Sequence, residues 1–139
     1  RAARSVREAV NAGMPTVAEC GGFMYLCETI DGKKTCGALP GGSKSAGKLV
    51  RFGYVKLETK RKSLFGDAGT GLKAHEFHYY ESDFCGDDCT AVKTDGRRYE
   101  CAYCTESLYA GYPHLYLAAN EEAAVEFCKK CLEYKEETK

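Results

Sequence analysis

The segment Val17-Ala18-Glu19-Cys20-Gly21-Gly22 constrains the fold of this chain more than any other. Thr16-Val17-Ala18 follows Pro15 and is too short an apolar run for a helix, so it reads as a buried core strand. Phe23-Met24-Tyr25-Leu26-Cys27 begins a helix. The chain must pass from one to the other through a tight turn, which needs small residues, and Ala18, Gly21 and Gly22 supply them. A side chain at Cys20 is then held out at the top of a sheet, facing the N-terminus of the following helix. The positive end of that helix is expected to lower the thiol pKa. The N–H of Gly21, with Gly22 beside it, is placed to hold a developing oxyanion. Spacing alone leaves a second reading open, in which Cys20 is a buried core cysteine before a glycine-flexed turn.

Around this unit the pattern is that of one α/β domain over residues 1–139. Residues 1–12 read as an amphipathic helix ended by Gly13. Cys36–Leu39, Phe52–Leu57 and Lys73–Tyr79 read as strands, and Asp83–Asp88 as a surface loop. Thr90–Lys93 and Tyr99–Tyr103 suggest a hairpin around Asp95-Gly96, and Leu108–Ala118 a strand pair or bent strand. A last helix starts after Asn120, a candidate cap, with Glu121 and Glu122 in its first turn. Its apolar stripe is Ala124, Phe127, Cys128 and Cys131.

Charge narrows the function classes. Lys+Arg and Asp+Glu both number 20, so the basic surplus of a nucleic-acid binder is missing. No apolar run is long enough to span a bilayer, and the charged start does not resemble a signal peptide. A cytoplasmic protein is expected, with nine cysteines reduced rather than paired. The chain starts at Arg1, already inside a helical pattern, and reads as a piece of a longer protein.

Four ordered segments carry a resemblance. Ala18-Glu19-Cys20-Gly21-Gly22-Phe23-Met24-Tyr25-Leu26, Gly37-Ala38-Leu39-Pro40-Gly41, Lys73-Ala74-His75-Glu76-Phe77-His78-Tyr79-Tyr80 and Tyr112-Pro113-His114-Leu115-Tyr116-Leu117-Ala118-Ala119-Asn120 resemble the amidotransferase domain of cobyrinic acid a,c-diamide synthases. The resemblance covers nearly the whole chain. It implies a flavodoxin-like, triad-type glutamine amidotransferase fold with a central mixed sheet, truncated at its N-terminus. The first strands, a loop giving a second oxyanion N–H and an ATP-binding synthetase domain are expected upstream.

The resemblance also implies roles. Cys20 is the nucleophile toward glutamine, and His114 is the base that takes its proton and later protonates ammonia. The ammonia goes to carboxylates of a corrin-type tetrapyrrole acceptor held largely by the missing domain, where ATP and Mg²⁺ act; no cofactor is expected in this chain. Many glutamine amidotransferases place an orienting glutamate two residues after the histidine. Tyr116 stands there instead, which leaves Glu76 and Glu81 as candidates by residue type. His75, Glu76 and His78 are expected to line the site, with both histidines on one strand face and Glu76 on the other. A homodimer is compatible with this reading. Its rivals are the same role on another tetrapyrrole such as nickel sirohydrochlorin, and a non-catalytic or zinc-clipped interaction module of the same fold.

Two other constellations are weaker. Gly42-Ser43-Lys44-Ser45-Ala46-Gly47-Lys48-Leu49 has the glycine and lysine spacing of a phosphate loop. Leu49, however, occupies the position of the Mg²⁺-binding hydroxyl. A mobile basic loop near the site is the better reading. Cys85, Cys89, Cys101 and Cys104 have zinc-ribbon spacing, but the five cysteines elsewhere favour plain cysteine-rich composition, and no metal is expected.

Overall fold

A computed structural model describes all residues, 1–139. In chain order the elements are α1 (Ala2–Asn11), β1 (Thr16–Glu19), α2 (Gly21–Leu26), β2 (Thr29–Ile30), β3 (Lys33–Lys34), β4 (Gly42–Ser45), β5 (Arg51–Thr59), β6 (Gly71–His78), β7 (Tyr80–Ser82), β8 (Cys89–Lys93), β9 (Arg98–Cys101), β10 (Tyr103–Cys104), β11 (Leu108–Gly111) and β12 (His114–Leu115), a 3₁₀ turn (Leu117–Ala119) and α3 (Glu121–Glu137). No helix is long and apolar enough to cross a membrane.

The result is a mixed α/β architecture in which the strands divide among three sheets instead of forming one central sheet. The largest, in order β12-β6-β5-β8-β9, is antiparallel throughout. A three-stranded sheet, β1-β11-β10, contains the parallel β1–β11 pair. A small sheet, β3-β2-β4-β7, flanks them.

Two-residue alternation sets the faces of the large sheet. Val55, Leu57 and Thr59 of β5 and Leu72, Ala74, Glu76 and His78 of β6 point inward, and all are buried. Phe52 and Tyr54 of β5 and Phe77 of β6 point outward and are exposed. Of these, Val55, Leu57, Leu72 and Ala74 join Phe65, Cys89, Ala91, Cys101, Cys104 and Tyr109 in one core, covered by Ala123 and Phe127 of α3. A second core, with Phe23, Leu26, Cys36, Leu108 and Tyr112, fills the space between α2 and the β1–β11 pair.

Several expectations change. Cys36–Leu39 is not a strand. The N–H groups of Cys36, Gly37, Ala38 and Leu39 donate to the carbonyls of Tyr25, Cys27 and Leu26. The segment thus satisfies the open carbonyls at the end of α2, which an apolar pattern cannot distinguish from sheet pairing. Residues 42–45 of the phosphate-loop look-alike form β4, bonded to β2 and β7; no helix follows, so backbone N–H groups do not gather around an anion there. Asn120 makes no side-chain cap bond. Its amide instead accepts from Lys73 N–H and donates to the carbonyls of Lys73 and Tyr116, which ties the start of α3 to β6. On α3, Cys128 is exposed.

Of the four cysteines with zinc-ribbon spacing, Cys89, Cys101 and Cys104 lie in the first core, while Cys85 packs against the second. No group of three or more potential ligand side chains converges.

Candidate active site

Cys20 occupies the turn between β1 and α2 with φ 49° and ψ −105°. A non-glycine residue in that region stores strain on the order of 1–3 kcal/mol, held only by its surroundings. Here two bonds hold it. Cys20 N–H donates to Gly111 O at 2.8 Å, extending the β1–β11 register by one residue. Cys20 O accepts from Met24 N–H at 3.0 Å, which opens α2. The strand pins one side of the residue and the helix the other, so its side chain is turned out of both ladders.

The glycines act through openness rather than close packing. A Cβ at Gly21 meets nothing within 4 Å, and one at Gly22 makes only ordinary contact with Ala18. The crowded glycine is Gly111, on the partner strand, where a Cβ would stand 2.8 Å from that of Ala102.

The thiol is not held as a thiolate. Burial pushes its pKa up, the Gly21 N–H pulls it down, and the Glu19 carboxylate pushes it up again, for a net rise. This corrects the expectation of a depressed pKa. α2 has only six residues, too few for a macrodipole able to outweigh desolvation and an adjacent carboxylate.

His114 opens β12, three residues after Gly111, whose carbonyl anchors the Cys20 N–H. Its ring is about half exposed, and Nδ1 lies 3.7 Å from Glu19 Oε2. The other Glu19 oxygen, Oε1, accepts the Leu115 N–H at 2.7 Å. Glu19 thus bridges the Cys20 turn and the His114 strand. The sequence reading passed over it because it looked two residues after the histidine and then to Glu76 and Glu81, not beside the thiol. The available signal was its place in the Glu-Cys dipeptide, one residue from the thiol.

Glu76 and Glu81 do not take that role. Glu76 is buried on the inner face of β6 and receives the Tyr99 hydroxyl, while Glu81 lies on β7 opposite Lys44. The expected faces of the His75–His78 stretch are also corrected. Positions 76 and 78 share a face because they differ by two, and His75 lies on the other. His78 is buried, its ring stacked on Tyr112 at 3.9 Å, with Nδ1 2.8 Å from Tyr80 O. His75 is outward and is the register partner of His114. The three residues therefore divide between two cavities. Glu76 and His78 line one of about 320 Å³ with Arg51, Tyr99 and Tyr112, whereas His75 and His114 line an open concavity of about 1120 Å³ on the outer face.

A thiol on a strained strand–helix turn, a carboxylate one residue before it and a histidine facing that carboxylate are groups of the kinds that acyl transfer through a thioester uses. The chain is 38% identical over 122 residues to a cobyrinate a,c-diamide synthase of Fusobacterium nucleatum, covering 81% of this chain and 26% of that protein. It is 32% identical over 136 residues to a cobyrinate a,c-diamide synthase of Caldanaerobacter subterraneus, covering 92% and 30%. It is 31% identical over 130 residues to a hydrogenobyrinate a,c-diamide synthase of Streptomyces coelicolor, covering 92% and 26%. The chain thus spans under a third of the length of these relatives. Residues 1–122 match the CobB/CobQ-like glutamine amidotransferase domain, and the chain belongs to that family.

Proposed function

We propose that this chain is the glutamine-hydrolysing part of an a,c-diamide synthase that amidates cobyrinate-type tetrapyrrole carboxylates in cobalamin biosynthesis. The observation that carries the reading is Glu19, which joins the Cys20 turn to the His114 strand.

In the proposed sequence the Cys20 sulfur attacks the side-chain amide carbon of glutamine as His114 takes the thiol proton. Proton transfer within the complex suits a thiol whose resting pKa is raised. The oxygen of the tetrahedral intermediate is met by Gly21 N–H, with Gly22 keeping the approach open. His114 returns the proton to the departing nitrogen, which leaves as ammonia. Water, deprotonated by His114, then attacks the thioester carbonyl; the C–S bond breaks, glutamate leaves, and His114 returns the proton to the Cys20 sulfur. Glu19 faces Nδ1 and stabilises the imidazolium at each stage.

The amidation itself needs ATP and Mg²⁺, and we place both in the longer protein. The β4 strand at residues 42–45 offers no phosphate cradle. The parallel β1–β11 pair is the part of a flavodoxin-like sheet that this reading assigns to the chain.

The test has two arms. An electrophilic glutamine analogue, 6-diazo-5-oxo-norleucine, should label Cys20 stoichiometrically by peptide mass spectrometry, and excess glutamine should block the labelling. In the synthase that carries this domain, Cys20→Ser should abolish amidation from glutamine and spare amidation from added ammonia. Retained glutamine-dependent amidation in that variant would remove the assignment.

A further inference from the structure

Cys20 and His114 are carried by different sheets. Cys20 follows β1 of the three-stranded sheet and leads into α2, whereas His114 opens β12 of the five-stranded sheet. Tyr112 and Pro113 form the whole link from β11 of the first sheet to β12 of the second. Neither residue of that link takes part in a backbone–backbone hydrogen bond. Its course is therefore set by side chains.

Tyr112 makes most of the contacts that set it. Its side chain is buried. The ring stacks on His78 of β6, with centroids 3.9 Å apart and planes 10° from parallel. It meets Phe23 of α2 edge-on at 5.2 Å. The hydroxyl is hydrogen-bonded to Ser82 Oγ at 2.8 Å, and Ser82 Oγ to Ser43 Oγ at 2.7 Å, so the buried phenol has the partner it needs. Beside it, the Tyr109 hydroxyl donates to Pro113 O at 2.8 Å and ties the link back to β11. Phe23 is fully buried and lies three residues after Cys20. His78 lies on the same strand as His75, the register partner of His114. The Tyr112 ring thus stands between one residue from the Cys20 side and one from the His114 side. The His114 ring has little else to place it, since its facing carboxylate is 3.7 Å away and beyond hydrogen-bond reach.

We infer that Tyr112 is a positioning residue: wedged between Phe23 and His78, its ring sets where the His114 strand stands relative to Cys20. It acts through those two residues and not on glutamine itself. A misplacement of about 1 Å between reacting groups costs on the order of 100-fold in rate. Protein interiors are packed too closely for a smaller side chain at position 112 to leave the spacing of two sheets unchanged. The inference rests on the amidotransferase reading, in which Cys20 and His114 act on one substrate.

The experiment compares glutamine-dependent with ammonia-dependent amidation in the synthase that carries this domain. The variants are Tyr112→Leu, Tyr112→Phe and His78→Leu, each assayed well below its own melting temperature. Tyr112→Leu stays apolar but loses the stack, the edge contact and the hydroxyl bond. Its kcat with glutamine should fall by about tenfold to a hundredfold, with a far smaller change in KM. Amidation from added ammonia should be unchanged, because it uses neither Cys20 nor His114. Tyr112→Phe keeps the ring and both ring contacts and should recover most of the rate. His78→Leu removes the stack from the β6 side and should show the same selective loss; it decides the question if Tyr112→Leu does not fold. A tyrosine that only fills the core predicts a lower melting temperature with kcat for glutamine unchanged per folded molecule. That result in a folded Tyr112→Leu, or in His78→Leu, would overturn the inference. So would an equal fall with ammonia, or a Tyr112→Phe variant as slow as Tyr112→Leu, since the hydroxyl and not the wedge would then carry the effect. Failure of the amidotransferase reading shows separately, as glutamine-dependent amidation retained in Cys20→Ser.

Discussion

Glu19 Oε2 stands 3.7 Å from His114 Nδ1, while its other oxygen is fixed by the Leu115 N–H. The separation is an ion-pair distance and too long for a hydrogen bond. Position 116, where many amidotransferases carry their orienting glutamate, holds a solvent-exposed tyrosine. The carboxylate that faces His114 is that of Glu19, the residue before Cys20.

Glu19→Gln tests this arrangement. The glutamine can still accept from Leu115 N–H, so the strand contact survives while the charge facing Nδ1 is lost. Removing the orienting carboxylate of a buried triad costs about 10⁴-fold. His114 is half exposed, so a smaller fall in kcat is expected, with KM little changed. An unaltered kcat with an unaltered melting temperature in Glu19→Gln would show that the Glu19 charge plays no part in the reaction.

His114→Asn should fold normally, because the ring is half exposed and the side chain makes no bond that closes a core. Glutamine hydrolysis in the synthase should drop by about 10²–10⁴-fold, as on removal of a general base. Circular dichroism and a thermal melt check the fold, and steady-state glutamate release checks the activity.

The raised Cys20 pKa gives a distinct reactivity profile. Simple alkylation by iodoacetamide should be slow at neutral pH and rise steadily into the alkaline range, because the thiolate is the reactive form. Glu19→Gln should speed it near neutral pH, since the neighbouring carboxylate is one of the causes that push the thiol up. Fast, pH-independent alkylation at pH 6–7 would show a standing thiolate and contradict the proton-transfer order proposed here.

How far the sequence could be read depended on whether a residue's partner was local. The Cys20 turn was legible because strand, turn and helix signals lie within a dozen residues. The β5, β6 and β8–β9 strands were legible from alternation and from the Asp95-Gly96 turn. Cys36–Leu39 misled because its N–H groups go to carbonyls at the end of α2, Tyr25 to Cys27, a choice that hydrophobicity does not encode. Glu19 was missed because its meaning lies in Leu115 and His114, almost a hundred positions away. The faces of His75 and His78 required only parity along the strand, since three residues apart always means opposite faces.

Burial lowers the pKa of His78, and Arg51 and His114 lower it further, while the Tyr80 carbonyl and Glu76 act in the opposite direction. The folded protein therefore resists protonating a ring that the unfolded chain protonates near pH ~6.5. The sign of the consequence follows from linkage. Above pH ~6.5 both states carry a neutral imidazole, and His78 gives no pH dependence. Below it, the unfolded chain binds a proton that the folded protein refuses, so stability falls as pH falls until the depressed folded pKa is reached. A single proton limits the slope to about 1.4 kcal/mol per pH unit. The neutral form also matters structurally, because the ring stacks on Tyr112 at 3.9 Å, and Tyr112 begins the segment that carries His114. Urea melts of the chain between pH 7.5 and 5 should show stability declining with acid. His78→Gln should be less stable at pH 7.5, through loss of the stack, yet show a flatter pH dependence over the same window. Equal slopes for the two proteins would mean that another group carries the acid sensitivity and that His78 is protonated in the folded state as readily as in the unfolded chain.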